Sequence, residues 1–204
     1  MAAFSIAGRY SAGMHKRQTL KRQTRCPARK RAPLPCLWLI SDARNDPMVE
    51  RALARLPRGS GFVFRHYHLP PAERRARWRH LARIARRHGH RLLWAGAAAE
   101  ARRAGADGIY GPPARLGRAP GLMRVATAHD LAELGAARRA GADAAMLSPV
   151  FATRSHPGRA VLGPLRFRLL AAQGRLPVIA LGGMNRIAAK RLAWPRWAAI
   201  DGLS

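Results

Sequence analysis

The sequence predicts an α/β fold, a compact (β/α)8 or TIM barrel, and two observations lead to that prediction. Short apolar runs alternate along the chain with stretches of helical periodicity, and one heptapeptide occurs twice where a helix should pass into a strand. Residues 34–204 are few for a barrel, which typically has about 250 residues. An open, doubly wound sheet is therefore the alternative.

The predicted strands are short runs rich in Leu, Ile, Val and aromatic residues, a composition typical of strands that are buried on both faces. They cover residues 36–41, 61–67, 91–95, 108–111, 122–127, 144–150, 177–182 and 197–203. Pro and Gly crowd residues 112–121, so the fourth helix should be reduced. Because the sequence stops at Ser204, directly after the eighth run, we expect the closing helix to be missing.

The clearest helix is predicted over residues 72–88, between Pro70-Pro71 and Gly89. Its apolar residues form one stripe, made of Trp78, Leu81, Ala82 and Ala85. The arginines that fall largely outside this stripe are Arg74, Arg75, Arg79, Arg83, Arg86 and Arg87. We therefore expect these arginines to form a solvated outer face rather than a binding groove.

The repeated heptapeptide is Ala-Arg-Arg-Ala-Gly-Ala-Asp, at residues 101–107 and 137–143. In each copy the glycine is suited to end a helix, and an apolar run follows. The two copies therefore mark equivalent helix-to-strand turns. In a barrel, Asp107 and Asp143 then lie at the end opposite the functional loops.

The chain carries 38 Lys and Arg against 10 Asp and Glu, a formal charge of +28. That charge favours an acidic partner, but nearly all the cations are Arg, as GC-rich coding would produce without any function. Residues 1–33 hold nine of these cations and no carboxylate, so we expect a disordered basic arm ahead of the folded domain at 34–204. The arm has three interpretations: a polyanion-binding tail, an organelle transit peptide, or sequence that precedes a true start at Met14. Because the remaining arginines are scattered, we do not expect nucleic acid to be the main partner.

Several protein classes are excluded by what the sequence lacks. Its apolar runs stay below the ~18 residues of a membrane span, so no membrane partner is expected. Two cysteines cannot build a disulfide scaffold, and a reducing, cytoplasmic location is predicted. The carboxylates near the functional rim are Asp42, Asp46, Asp130 and Asp201. Because no close pair is evident among them, a carboxylate-dyad enzyme is not expected. With ten carboxylates in the whole chain, few candidates for a metal site exist, and none is assigned.

Two segments that follow predicted strands point to a phosphorylated ligand. After the seventh run, Gly182 and Gly183 would let backbone N–H groups approach a phosphate closely, although a simple tight turn is the alternative. The loop over residues 148–158 adds hydroxyl and imidazole donors at the same rim, namely Thr153, Ser155 and His156. A solvated surface loop without a ligand often has such a composition. However, this loop and the diglycine lie at the same rim, which favours a phosphorylated ligand.

Thr127, His129 and Asp130 follow the fifth run. Thr127 and Asp130 have the spacing of a capping box, which is the structural interpretation of Thr127. His129 would then lie in the first helical turn, where the macrodipole disfavours the imidazolium form. A neutral His there is suited to move a proton, and a purely structural His is the alternative. Arg65 should project at the rim, where a guanidinium suits a phosphate or pyrophosphate.

In this order, the segments resemble the thiamine phosphate synthase/TenI family over residues 35–204. The resemblance rests on Arg65, Gly105–Gly108, Thr127–His129, Gly141–Asp143, Pro149–Gly158 and Val178–Met184. It implies a (β/α)8 barrel and a role in thiamine (vitamin B1) biosynthesis. Synthases of this family join a pyrimidine pyrophosphate to a thiazole phosphate with Mg2+, which gives thiamine phosphate and pyrophosphate. TenI-like members include thiazole tautomerases that use a His.

The resemblance also implies residue roles. Gly182 and Gly183 would hold the thiazole phosphate, and Thr127 takes the place of a family Ser. The residues implied at the pyrophosphate end are Arg65, Thr153, Ser155 and His156. The family's Mg2+ carboxylates are missing, because one position is Gly96 and the other aligns near Arg115. Mg2+ prefers hard oxygen ligands, so the resemblance does not carry the metal over, and Arg115 could contact pyrophosphate directly.

Three functions stay open at this point. A divergent synthase would ionise the pyrimidine with the help of Arg65 and His156. A TenI-like tautomerase would move a proton with His129. A non-catalytic protein would only bind these phosphorylated metabolites, and a homo-oligomer is compatible with all three.

Overall fold

The strands of this computed structural model close into a barrel, which confirms the predicted fold and excludes the open sheet. The structure describes residues 33–153 and 160–203. Eight parallel strands follow one another in chain order, and β1 closes the barrel by pairing with β8, Leu37 opposite Trp197 and Leu39 opposite Ala199. Residues 34–204 form one compact unit.

The strands and helices alternate regularly, and the predicted apolar runs contain all eight strands except for one residue at the end of the fifth. The strands are β1 Leu37–Ser41, β2 Gly61–Phe64, β3 Arg91–Ala95, β4 Gly108–Gly111, β5 Met123–Ala128, β6 Ala144–Leu147, β7 Val178–Ala180 and β8 Trp197–Ala199. The helices are α1 Asp46–Arg55, α2 Pro71–Arg87, α3 Ala98–Arg103, α4 Pro113–Leu116, α5 Leu131–Arg139, α6 Gly163–Gln173 and α7 Arg186–Leu192. The reduced fourth helix is confirmed, since α4 has four residues. No helix follows β8 within the part of the chain that the structure describes, which ends at residue 203.

Alternation along each strand divides the core into two layers, because successive side chains of a strand point to opposite faces. One layer fills the barrel, and its buried members are Trp38, Ile40, Val63, Leu93, Ala95, Tyr110, Val125, Ala144, Met146, Ile179 and Ala198. The other layer packs between the strands and the helices around Phe62, Phe64 and Trp78. Gly61 belongs to the first layer, where a Cβ would overlap the indole of Trp38.

Helix α2 matches the predicted helix closely. Pro71 stands in its first turn, and after Arg87 the chain turns at Gly89, which has φ +69°. The whole predicted stripe is buried against the barrel. Most of its arginines are exposed, as expected for an outer face, but Arg74 is half-buried.

The two copies of the repeat make the same turn. Gly105 and Gly141 have φ +66° and +67°, a left-handed conformation that glycine adopts without strain. Beyond each glycine, an aspartate accepts a hydrogen bond from a strand backbone: Asp107 Oδ2 from Leu92 N and Asp143 Oδ2 from Arg124 N, both at 2.8 Å. Both carboxylates therefore tie the amino ends of neighbouring strands together, on the face opposite the site.

None of the helices among residues 33–153 and 160–203 is long and apolar enough to cross a membrane. The cytoplasmic location and the oligomeric state stay predictions.

Candidate active site

A cavity of about 530 Å3 opens at the carboxyl ends of the strands. Every second side chain of a strand points into the barrel, and the same alternation continues just past the end of each strand. Inward-pointing residues at these strand ends line the cavity. Such positions include Arg65 after β2, Thr127 near the end of β5, Ser148 after β6 and Leu181 after β7. The remaining polar residues of the lining are Tyr67, Tyr110, His129, Thr153, Asn185 and Asp201.

Six of the eight site residues expected from the sequence line this one cavity. They are Arg65, Thr127, His129, Thr153, Gly182 and Gly183. Ser155 and His156 lie outside the described residues. The chemical roles of all eight stay predictions, but β2, β5, β6 and β7 do bring the six together.

The two glycines form a tight corner of the cavity between β7 and α7. Gly182 and Gly183 have φ +90° and +63°. A Cβ on Gly182 would lie 2.6 Å from Pro149 Cα, and one on Gly183 would lie 2.5 Å from the carbonyl oxygen of Ala152. A side chain would fit at neither position. The diglycine is therefore a tight turn and, for the same reason, a stretch of backbone without side chains at the rim.

Helix α7 begins at Arg186, three residues after Gly183. Asn185 is its N-cap, and the side-chain oxygen of Asn185 accepts a hydrogen bond from Ala188 N at 2.8 Å. Asn185 also lines the cavity.

The predicted capping box at Thr127 is wrong. Thr127 belongs to β5, where it pairs with Met146, and the N-cap of α5 is Asp130, which accepts a hydrogen bond from Glu133 N. The strand continues to Ala128, so α5 starts only at Leu131. His129 consequently precedes the helix instead of lying in its first turn.

His129 is held by a carboxylate. Its Nδ1 lies 2.8 Å from Glu133 Oε2, and its backbone N–H donates to the same oxygen at 2.8 Å. A carboxylate can only accept, so Nδ1 carries the hydrogen of this pair, and the acceptor nitrogen of the neutral ring is Nε2. The arrangement orients an imidazole at the cavity wall and sets its tautomer.

Tyr110 is a residue of the site that the sequence reasoning missed. It is buried near the end of β4 and lines the cavity, and burial raises its pKa to about 12, although the charge of Arg65 opposes that shift. Tyr110 is therefore a hydrogen-bond donor at neutral pH. The signal that could have found it is alternation, since Ile109 lies outside the barrel and the next residue must point in.

A buried network lies beneath Arg65, between β1, β2 and α1. His66 Nδ1 is 2.9 Å from Ser41 Oγ, and His66 Nε2 is 2.7 Å from Asp46 Oδ1. Arg65 N donates a 3.4 Å bond to the same hydroxyl. Ser41 and His66 are fully buried, so the network supports the backbone of Arg65 and does not form a nucleophile.

The positions that carry the family's Mg2+ carboxylates do not fit the metal here. A Cβ on Gly96 would lie 2.8 Å from Glu100 Oε2 and from Trp94 Nε1, away from the cavity lining, and Arg115 is exposed outside that lining. Among the described residues, one carboxylate lines the cavity, Asp201, which lies 3.8 Å from Arg44 Nη1. Nor does any group of three or more acidic, His or Cys side chains suited to a metal occur there.

Comparison with known proteins gives one family. A family model described as thiamine monophosphate synthase (TMP-TENI) matches residues 37–200. Similar solved structures include a thiamine phosphate pyrophosphorylase from Pyrococcus furiosus, which is 26% identical with a TM-score of 0.67 and is aligned over 80% of this chain and 84% of its own. A search of curated proteins found no significant match.

More distant structures share the fold alone. A thiamine phosphate pyrophosphorylase from Bacteroides thetaiotaomicron is 15% identical with a TM-score of 0.52, aligned over 80% of this chain and 81% of its own. FabK from Thermotoga maritima is also 15% identical, with a TM-score of 0.65, aligned over 83% of this chain and 58% of its own.

Proposed function

This chain belongs to the thiamine monophosphate synthase family, and from that premise we propose that its barrel-mouth cavity binds a thiazole phosphate beside a pyrimidine pyrophosphate. The observation that carries the proposal is the meeting of Arg65 and the diglycine corner in one cavity lining. A guanidinium and an open backbone corner are both suited to phosphate groups, so one cavity offers places for two anions.

The thiazole phosphate belongs at Gly182 and Gly183 in this proposal. The family resemblance assigns it there, and the absence of side chains leaves the backbone accessible at a point where a Cβ would not fit. Asn185 lines the same cavity and supplies polar atoms beside the corner.

The pyrophosphate end belongs near Arg65. During condensation the bond between the pyrimidine's methylene carbon and the pyrophosphate oxygen breaks, and its electron pair leaves with the pyrophosphate. The lone pair of the thiazole ring nitrogen forms the new bond to that carbon. Arg65 stabilises the departing negative charge, and the protonated hydroxyl of Tyr110 donates to the same anion. The family resemblance also assigns Thr153, Ser155 and His156 to this end.

We derive no step through Mg2+. The residues at positions 96 and 115 do not fit the metal. In this proposal, cationic side chains therefore stabilise the negative charge of the pyrophosphate.

The test is to incubate the purified protein with both substrate halves, with and without Mg2+, and to assay thiamine phosphate. We expect product, and we expect Arg65→Ala to lower kcat/KM at least tenfold, since the departing charge loses its guanidinium. Arg118→Ala, an exposed arginine outside the cavity, is the matched control and should behave like the wild type. Absence of product under both conditions would overturn the condensation and leave ligand binding as the function.

A second candidate is tautomerisation of a thiazole phosphate, which the His129–Glu133 pair favours. An imidazole whose Nδ1 is bound to a carboxylate can accept a proton at Nε2 and return it. His129→Ala should abolish tautomerisation, and Glu133→Gln should weaken it while thiazole phosphate affinity is retained. Normal turnover by His129→Ala would remove this candidate.

A further inference from the structure

A second cavity, of about 640 Å3, lies on the outside of the barrel between α2 and α3; we call it the α2–α3 cavity. Its walls include two buried indoles, Trp78 and Trp94. Its charged side chains are Arg74, Arg75, Arg79, Arg103 and Glu100. Four guanidinium groups therefore face one carboxylate.

Arg74 is a half-buried cation that forms no hydrogen bond to a carboxylate of the described residues. Its Nη2 donates to the carbonyl of Ala95 at 2.7 Å, and its Cζ lies 4.1 Å from the ring centroid of Trp94. Its Nε is buried and has no hydrogen-bond partner among the described residues. Burial lowers the pKa of Arg74, although the charge of Glu100 opposes this. A buried charge without a paired counter-charge is costly, so an anion arriving here would relieve that cost.

The carboxylate of Glu100 is already engaged elsewhere, because Glu100 Oε2 accepts a 3.0 Å bond from Trp94 Nε1. Within the described ranges, no ion pair is formed by Arg75, Arg79 or Arg103 either. Arg77, on the same helix, shows the contrast: its guanidinium is paired with Asp46 and Glu50 at 2.8 and 2.5 Å. Among the described residues, Arg77 therefore has carboxylate partners for its charge, whereas Arg74 in the cavity wall has none in an ion pair.

We propose that the α2–α3 cavity binds a phosphate-bearing anion. Guanidinium groups bind phosphate through charge-assisted, often bidentate hydrogen bonds, and here several of them surround one recess. Tyr67 is 61% exposed and borders both cavities, and the centroid of its ring lies 5.4 Å from Arg74 Cζ. An organic part of the ligand therefore has an aromatic surface beside it. In this proposal, some of the α2 arginines that we expected to form a solvated outer face instead form one wall of a binding site. The inference does not depend on the reaction at the barrel mouth.

The test compares two charge-reversal variants of helix α2 in the full-length protein. Arg75→Glu/Arg79→Glu changes the cavity wall, and Arg83→Glu/Arg87→Glu makes the same change at exposed residues of the same helix outside it. Isothermal titration with inorganic pyrophosphate and, separately, with adenosine monophosphate measures the affinity of each. Thermal unfolding of both variants checks that they are folded, and residues 1–33 are common to all the proteins compared.

We expect at least tenfold weaker binding of one or both probes to Arg75→Glu/Arg79→Glu, and a change below twofold for the control variant. Tighter binding of pyrophosphate would identify a free inorganic anion as the ligand type, and tighter binding of the nucleotide an organic phosphate. Arg65→Ala should leave this component of binding in place, which separates it from the site at the barrel mouth. No binding by the wild type, equal losses in both double variants, or no loss in either would overturn the proposal.

Discussion

Gly183 combines a left-handed backbone conformation with a lack of space for a side chain. An Ala there must adopt φ +63°, with its Cβ 2.5 Å from the carbonyl oxygen of Ala152 and 2.7 Å from Phe151 Cβ. We expect Gly183→Ala to lower the free energy of unfolding by about 2–4 kcal/mol, since left-handed strain and overlap add.

Gly59 is the control for this prediction. It has φ +78°, but a Cβ there would meet nothing within 4 Å, so Gly59→Ala should cost only about 1 kcal/mol. Urea unfolding compares the two variants. Equal costs would show that the corner is not tightly packed.

His66 links stability to pH. Burial lowers its pKa, although the hydrogen bond to Asp46 opposes the shift. The unfolded chain therefore takes up a proton near pH 6.5 that the folded chain resists, and the free energy of unfolding should fall as the pH is lowered from about 7.5 to 5.5. His66→Gln should show a smaller fall over this range in urea titrations. Burial also lowers the pKa of His90, so part of the slope should remain. An unchanged slope in His66→Gln would contradict the prediction.

The repeated turn is the element whose role is clearest. Asp107 and Asp143 each bind the backbone N–H of the preceding strand, so Asp107→Ala and Asp143→Ala should each cost about 1–3 kcal/mol of unfolding free energy. Arg118→Ala, on an exposed loop, should stay within about 0.5 kcal/mol. Both aspartates lie at the opposite end from the site, so ligand affinity should not change. A changed affinity would show that the turns influence the rim.

Helices and strands could be predicted from the sequence where a single hydrophobic pattern runs through the whole element. The strands of the barrel are buried on both faces, so short continuous apolar runs located them. Helix α2 has a single apolar stripe between Pro71 and Gly89, so its periodicity and its boundary residues located it. The start of α5 was not predictable in this way. Thr127 and Asp130 are both good caps, and only the pairing of β5 with β6 extends the strand past Thr127.

The site was predictable only in part, because much of its lining comes from closing the barrel. Arg65, Gly182 and His129 stand out by residue type and spacing. Tyr110 and Asn185 do not stand out by residue type. Alternation along β4 could have placed Tyr110 inside the barrel, whereas Asn185 becomes a cavity residue only when the start of α7 reaches the rim. The α2–α3 cavity likewise depends on the packing of two helices against Trp94.

At the scale of the whole molecule, the charge divides into separate populations. Residues 1–33 carry nine cations, and the folded domain carries the rest. If residues 1–33 are a polyanion-binding tail, one of the three interpretations of the arm, the full chain should bind duplex DNA with an affinity that falls steeply with salt, and residues 34–204 alone should lose that binding. Fluorescence anisotropy across a salt series measures both proteins. Equal DNA affinity would place the polyanion surface on the domain.

The proposed function rests on the claim that the barrel mouth holds a thiazole phosphate at Gly182 and Gly183, and calorimetric titration with thiazole phosphate measures this binding. We predict one binding site per chain in the wild type, an affinity at least tenfold weaker in folded Gly183→Ala, and an unchanged affinity in Arg75→Glu/Arg79→Glu. No binding by the wild type, or an equal affinity in Gly183→Ala, would contradict the claim.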